Sequence, residues 1–362
     1  MTICIHFLST PTLLHETCEN IRQEKHADSI KDTSAYWSAL ADKDLSWFAP
    51  YTAAQSGSFA DGTVAWFLDG KINACYNAVD RHCAPGPDCR ADEVAIIWEG
   101  DEPTDVRRVT FRELLAKVCK IANALKEQGV RKGDVVTLYM PMVPELAMTM
   151  LACARLGAVH SVIFAGFSAD AIADRIESSQ SRWVVTADGG KRGGRNLPLK
   201  QICDTAIQKG ACSSIVEKLF VFSHHGGSGV TMDPTRDVLI DELLEKQRPY
   251  CPCEWMDSED NLFILYTSGS TGKPKGLVHT TAGYCLYAMH TTATTFDLKK
   301  SDVYACVADA GWITGHTYIV YGPLLNGLST FMFESTPMVS KDCINWCESS
   351  CVSEKSISIL SF

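Results

Sequence analysis

The sequence predicts an α/β fold in which mainly parallel sheet is flanked by helices. Three observations carry that prediction. From Val94 onward, short apolar runs alternate with segments of helical periodicity. The apolar runs are continuous rather than alternating, as strands covered on both faces require. Glycine-bearing loops follow several of these runs, at the carboxyl ends of strands, where such sheets hold ligands.

Before that rhythm starts, the signals are weaker. A helix is expected near Ser34 to Leu45, then a polar stretch, then a turn and helix across Trp66 to His82. Asp80-Arg81-His82 could be catalytic, but a structural ion pair at a helix end is the better reading. Residues 83–90, with two prolines, a glycine and an arginine, read as a loop.

The alternation then runs in order. Val94 to Trp98 is strand-like, and Glu99 to Pro103 is a turn. Thr110 and Glu113 have the form of a capping box, opening a helix whose stripe of Leu114, Val118, Ile121 and Leu125 ends at Gly129. Val135 to Met140 is a strand closed by Pro141, and Glu145 to Leu156 a helix stopped by Gly157. Val159 to Phe164 is a strand, Ala169 to Glu177 a helix and Trp183 to Thr186 a strand. Leu199 to Lys209 reads as a helix, Lys218 to Phe222 as a strand and Val238 to Lys246 as a helix, with Gly226 to Gly229 a surface loop between the last two. Leu262 to Leu265 is a buried strand, Ala282 to His290 a helix and Val303 to Val307 a strand.

Composition limits what such a fold can do. A net charge of −10, from 33 basic and 43 acidic residues, argues against a general nucleic-acid or membrane-surface binder, so any phosphate site must be locally basic. No run approaches the ~20 apolar residues of a membrane span. Sixteen cysteines are scattered rather than densely framed, which favours reduced thiols. Cys251 and Cys253 are too close for the usual zinc pairing. Cys343, Cys347 and Cys351 share helical spacing but have no fourth ligand beside them. No metal ligand is assigned. Met1 to Leu14 is a poor signal or transit peptide, so cytosol is favoured, with a mitochondrial address as the alternative.

Three loops carry candidate chemistry. Tyr266-Thr267-Ser268-Gly269-Ser270-Thr271-Gly272-Lys273-Pro274-Lys275-Gly276 offers backbone N–H groups, hydroxyls and ammonium charge, with no carboxylate. Its spacing excludes a P-loop, which needs four residues between its first glycine and the Gly-Lys pair. A flexible Ser/Gly linker is the bland alternative. Asp188 to Arg195 packs four glycines and three basic residues into eight positions, a compact anion site or else an exposed basic turn. Ala308 to Tyr318 surrounds Trp312 with glycines, threonines and a histidine, suiting a small walled pocket with a buried tryptophan; plain core is the alternative.

Together these residues resemble the AMP-forming acyl-CoA synthetases of the adenylate-forming enzymes. Tyr266 to Gly276 is similar to that superfamily's first core motif. Trp66-Phe67, Asp80-Arg81-His82, Arg192-Gly193-Gly194-Arg195 and Gly311-Trp312-Ile313-Thr314-Gly315-His316 resemble the acetyl-CoA synthetases within it, over roughly residues 30–337. The resemblance implies a large N-terminal domain of the acyl-CoA synthetase type. It also implies a two-step ligation of acetate to coenzyme A, driven by ATP with Mg2+ through acetyl-adenylate. By matching position, Thr267, Ser268, Gly269, Ser270, Thr271, Gly272 and Lys273 would hold the ATP phosphates, with Lys275 less firmly placed. Arg192, Gly193, Gly194, Arg195 and Thr314 would meet coenzyme A, Phe164, Ala165 and Gly166 would border it, and Trp312, Ile313 and Thr314 would line the acetate pocket.

After Phe333 to Pro337 the likeness stops. The expected division is an N-terminal extension and acetyl-CoA synthetase-type segment over 1–90, an incomplete AMP-binding domain over 91–337 and a divergent tail over 338–362. On this reading the chain is truncated. The family's ribose-holding, magnesium-site and catalytic-lysine segments are unmatched, and no catalytic residue is assigned. The alternatives are a catalytically inactive product or non-enzymatic binding partner, and a propionate-specific relative. Small-molecule substrates are the expected partners, without nucleic acid or membrane.

Overall fold

A computed structural model describes residues 23–102, 104–226, 230–267 and 274–334, and the backbone of 357–361. The strands fall into two principal sheets. In the first, seven strands lie in the order β12-β11-β8-β6-β7-β14-β15: β6 (Val135–Tyr139), β7 (Val159–Val162), β8 (Trp183–Ala187), β11 (Lys218–Phe222), β12 (Asp237–Leu239), β14 (Asn261–Thr267) and β15 (Lys275–Thr280). All neighbours are parallel except β14 and β15, which form an antiparallel hairpin. The second sheet has the order β18-β16-β17-β4-β5, from β4 (Val94–Glu99), β5 (Val106–Thr110), β16 (Val303–Val307), β17 (Ser329–Phe333) and β18 (Ile357–Ser361). It too is parallel apart from the β4–β5 pair.

The helices form where the sequence places them, for the expected reasons. Helix α2 (Phe111–Glu127) opens on a capping box: Thr110 Oγ1 accepts from the Glu113 N–H, and the Glu113 carboxylate accepts from Thr110. Its apolar stripe is buried. Helix α3 (Pro144–Leu156) is buried almost all round, and Gly157 stops it at φ +71°. The two pack against each other. Elsewhere α4 (Ala169–Ser179) packs against α5 (Leu199–Ile207), so helices flank the first sheet as parallel strands demand. Helix α7 (Thr281–Thr295) follows β15 directly. No helix among the described residues is long and apolar enough to cross a membrane.

Several expectations are corrected. Val238 belongs to β12, and its helix (Ile240–Lys246) begins two residues later; β-branched Val238 pairs in register with Phe220. Of the turn and helix expected across Trp66 to His82, the helix forms over Tyr76–Asp80 and Arg81–Cys83, but Trp66 lies in β2 (Thr63–Leu68), which pairs antiparallel with β1 (Ala53–Ser58). The basic loop is a small hairpin, β9 (Gly190–Arg192) with β10 (Arg195–Leu197). The described cysteines are free thiols, while Cys343, Cys347 and Cys351 lie outside the described residues.

The N-terminal segment is fastened by polar side chains. Asn73 Nδ2 donates to the Ala154 and Glu254 carbonyls, satisfying the end of α3. Both Asp80 carboxylate oxygens take a hydrogen bond from Arg155, at 2.8 and 2.9 Å. Arg81 donates to the carbonyls of Asp44 and Leu325. Burial, then the charge of Arg81, pushes His82 down to about 3, so it stays neutral. The cluster is a structural staple, as its position at a helix end suggests.

Candidate active site

The strand ends bring two of the three candidate loops together. After β16, the Gly311-Trp312-Ile313-Thr314-Gly315 segment folds back on itself. Asp309 directs the turn: its Oδ1 accepts from Gly311 N–H at 2.8 Å and its carbonyl from Trp312 N–H at 3.0 Å. The two glycines are needed for close approach. A Cβ at Gly311 would meet the Phe164 backbone at 2.8 Å, and one at Gly315 the Asp309 carbonyl oxygen at 2.1 Å.

Trp312 is not buried. It is 51% exposed and Ile313 44%, which corrects the expectation of a tryptophan enclosed in a pocket wall. The indole leans against Phe164 and Phe167, with ring centroids 6.2 and 6.3 Å away, and leaves its other side open. Ile313 and Thr314 instead line a cavity of about 680 Å³ with Trp66, Tyr284, Tyr287 and Tyr318. The buried His316 behind them is held neutral, pushed to about 3 chiefly by burial.

The β9–β10 hairpin turns through Gly193 and Gly194, at φ +58° and +74°, a conformation that glycine adopts without steric cost. The turn leaves Arg195 exposed, while Arg192 reaches inward over the Phe164 ring at 4.3 Å. Arg192 also stands 3.9 Å from the Asp309 carboxylate. Burial pushes Asp309 up to about 6, against the pull of Gly311 N–H and Arg192. Phe164 and Asp309 thus touch both loops. Ala165, adjacent, is buried with its carbonyl accepting from Tyr139 Oη at 2.9 Å, and Gly166 is exposed.

Thr267 ends β14, exposed and opposite Lys275 at the start of β15. Ser268, Gly269, Ser270, Thr271, Gly272 and Lys273 lie outside the described residues. The described strands on either side, β14 and β15, pair antiparallel.

Sequence reasoning missed Asp309, which ties the loops, and Glu334 with His224. Glu334 Oε1 accepts from Lys191 N–H at 3.0 Å and lies 2.9 Å from His224 Nε2. Burial alone would lower the His224 pKa, but the Glu334 hydrogen bond and charge raise it. Nothing in spacing could pair positions 110 apart. Asp309, two residues ahead of a glycine in a turn, did carry a local signal.

A family model described as "AMP-binding enzyme" matches residues 86–352, and one described as "Acetyl-coenzyme A synthetase N-terminus" matches residues 22–78. The chain is 49% identical over 338 residues to an acetyl-coenzyme A synthetase of Dictyostelium discoideum, covering 93% of this chain and 49% of that protein. It is 50% identical over 317 residues to one from a Bradyrhizobium strain, covering 87% of this chain and 47% of the relative. The chain therefore spans about half the length of the curated relatives it matches.

Proposed function

The chain belongs to the AMP-binding enzyme family, joined to an N-terminal segment of the acetyl-coenzyme A synthetase type, and from that membership we propose that the protein carrying it ligates acetate to coenzyme A. In the first step an acetate oxygen attacks the α-phosphorus of ATP and pyrophosphate leaves. In the second, the coenzyme A sulfur attacks the acyl carbon, AMP leaves and the thiol proton passes to solvent. The barrier to the first step is largely one of charge and positioning.

The observation that carries the proposal is the meeting of the Trp312 loop and the Arg192 hairpin on Phe164. An acyl group held by Ile313 and Thr314 would then lie beside the entry of a thiol carried on an anionic carrier. Arg192 and Arg195, on either side of a two-glycine turn with open space at Gly194, suit the phosphates of coenzyme A. Thr267 and the loop beyond it, on a strand end, suit the nucleotide phosphates. Magnesium would neutralise phosphate charge when it enters with ATP; no residue of this chain is proposed to hold it.

The test is acetate-dependent exchange of labelled pyrophosphate into ATP by the protein carrying this chain, then thioester formation on adding coenzyme A. Thioester formation that needs about tenfold more coenzyme A, with exchange retained, is expected for Arg192→Ala. Exchange that ignores acetate would overturn the proposal. The 680 Å³ cavity exceeds what either an acetyl or a propionyl group fills, so its volume does not separate the two acids, and a propionate-specific ligase is the second reading. One methylene is worth only ~1–3 kcal/mol, and direct competition between the two acids decides it.

A further inference from the structure

We propose that His224, His225 and Glu334 form a binding site for a divalent ion of the Zn2+ class, where the carboxyl ends of the two sheets meet. The histidines follow β11 of the seven-stranded sheet and Glu334 follows β17 of the five-stranded one. One ligand atom from each lies within 4.8 Å of the others. Two imidazoles and a carboxylate make a typical zinc set, leaving a fourth position for water.

The geometry needs little adjustment. Zinc bonds of ~2.0–2.1 Å in a tetrahedron place ligands roughly 3.3 Å apart, and His224 Nε2 already sits 2.9 Å from Glu334 Oε1. His225 is exposed, its ring 4.7 Å from that of His224, so a rotamer change can bring its nitrogen in. The supporting bonds are present. Asp188 accepts from the backbone N–H of both histidines at 2.9 and 3.0 Å, and Lys191 N–H holds the Glu334 carboxylate, whose side chain is 2% exposed.

Occupancy would cross-link segments 110 residues apart and, through Lys191, brace the hairpin that carries Arg192. That consequence concerns stability and does not depend on the ligase reading.

The experiment uses the whole chain, stripped with a chelator and titrated with Co2+ and Zn2+. One Co2+ per chain should bind with visible d–d bands and without a thiolate charge-transfer band in the near ultraviolet. Zn2+ should raise the melting temperature. His225→Ala, at an exposed position that leaves the fold intact, should weaken binding at least tenfold and abolish the Zn2+ shift, and Glu334→Gln should weaken binding similarly. A thiolate band, which would assign the ion to cysteines, or unchanged binding by His225→Ala would overturn the proposal, as would failure to saturate at one ion per chain.

Discussion

Replacing Asp80 by Asn should cost the protein several degrees of thermal stability while leaving its ligand chemistry intact. Arg155 is buried to 3% exposure and Asp80 to 17%, with paired contacts of 2.8 and 2.9 Å. At an effective dielectric of ~20, charges ~4 Å apart interact by about 4 kcal/mol. Removing one partner of a buried pair, which strands the other, costs about 3–5 kcal/mol. Arg155 Nε still reaches the Cys251 carbonyl, and asparagine keeps one acceptor, so the lower end, about 3 kcal/mol, is expected. With an unfolding entropy of ~2.1 cal/mol/K per residue, a chain of this size melts about 4 °C lower. Differential scanning calorimetry on the parent and the variant measures this. Coenzyme A affinity, read well below both transitions, should stay within twofold. A melting point within 1 °C of the parent would refute the staple; a large loss of affinity with unchanged melting would make the cluster functional.

Three further outcomes follow from the same geometry. Arg192→Ala should weaken coenzyme A binding about tenfold by calorimetry, the loss of a charge-assisted phosphate contact, while Arg192→Lys restores only part of it because the planar stack on Phe164 is gone. Gly315→Ala should destabilise the chain by about 1–3 kcal/mol in urea, since backbone at 2.1 Å cannot yield as a side chain would. Burial pushes the Glu99 carboxyl up to about 8. The folded state then holds this proton where the unfolded chain has released it, so stability falls as pH rises from the ordinary carboxylate value to about 8. Glu99→Gln should flatten that slope, and melting temperatures taken at pH 5 and pH 8 will show whether it does.

Local pattern was enough for most of the first sheet and for its helices. The capping box at Thr110 and the glycine stop at Gly157 act within one or two turns of chain, so adjacent residues encode them. The same holds for the turn glycines Gly193 and Gly194, whose positive φ angles are a local demand that an isolated sequence displays. Strands β5 and β12 escaped notice because short pairs such as Phe220 with Val238 draw their stability from a partner rather than from their own three to five residues.

What the sequence by itself determined is therefore the α/β alternation and the family, and it marked the loops proposed to carry chemistry, because each is written in contiguous residues. Tertiary structure alone decided that Trp312 faces solvent, that Arg192 and the Trp312 loop share Phe164, and that Glu334 meets His224 across two sheets. Those relations depend on strand order, and strand order is fixed by which buried faces find one another, a balance summed over the whole core and visible in no single stretch.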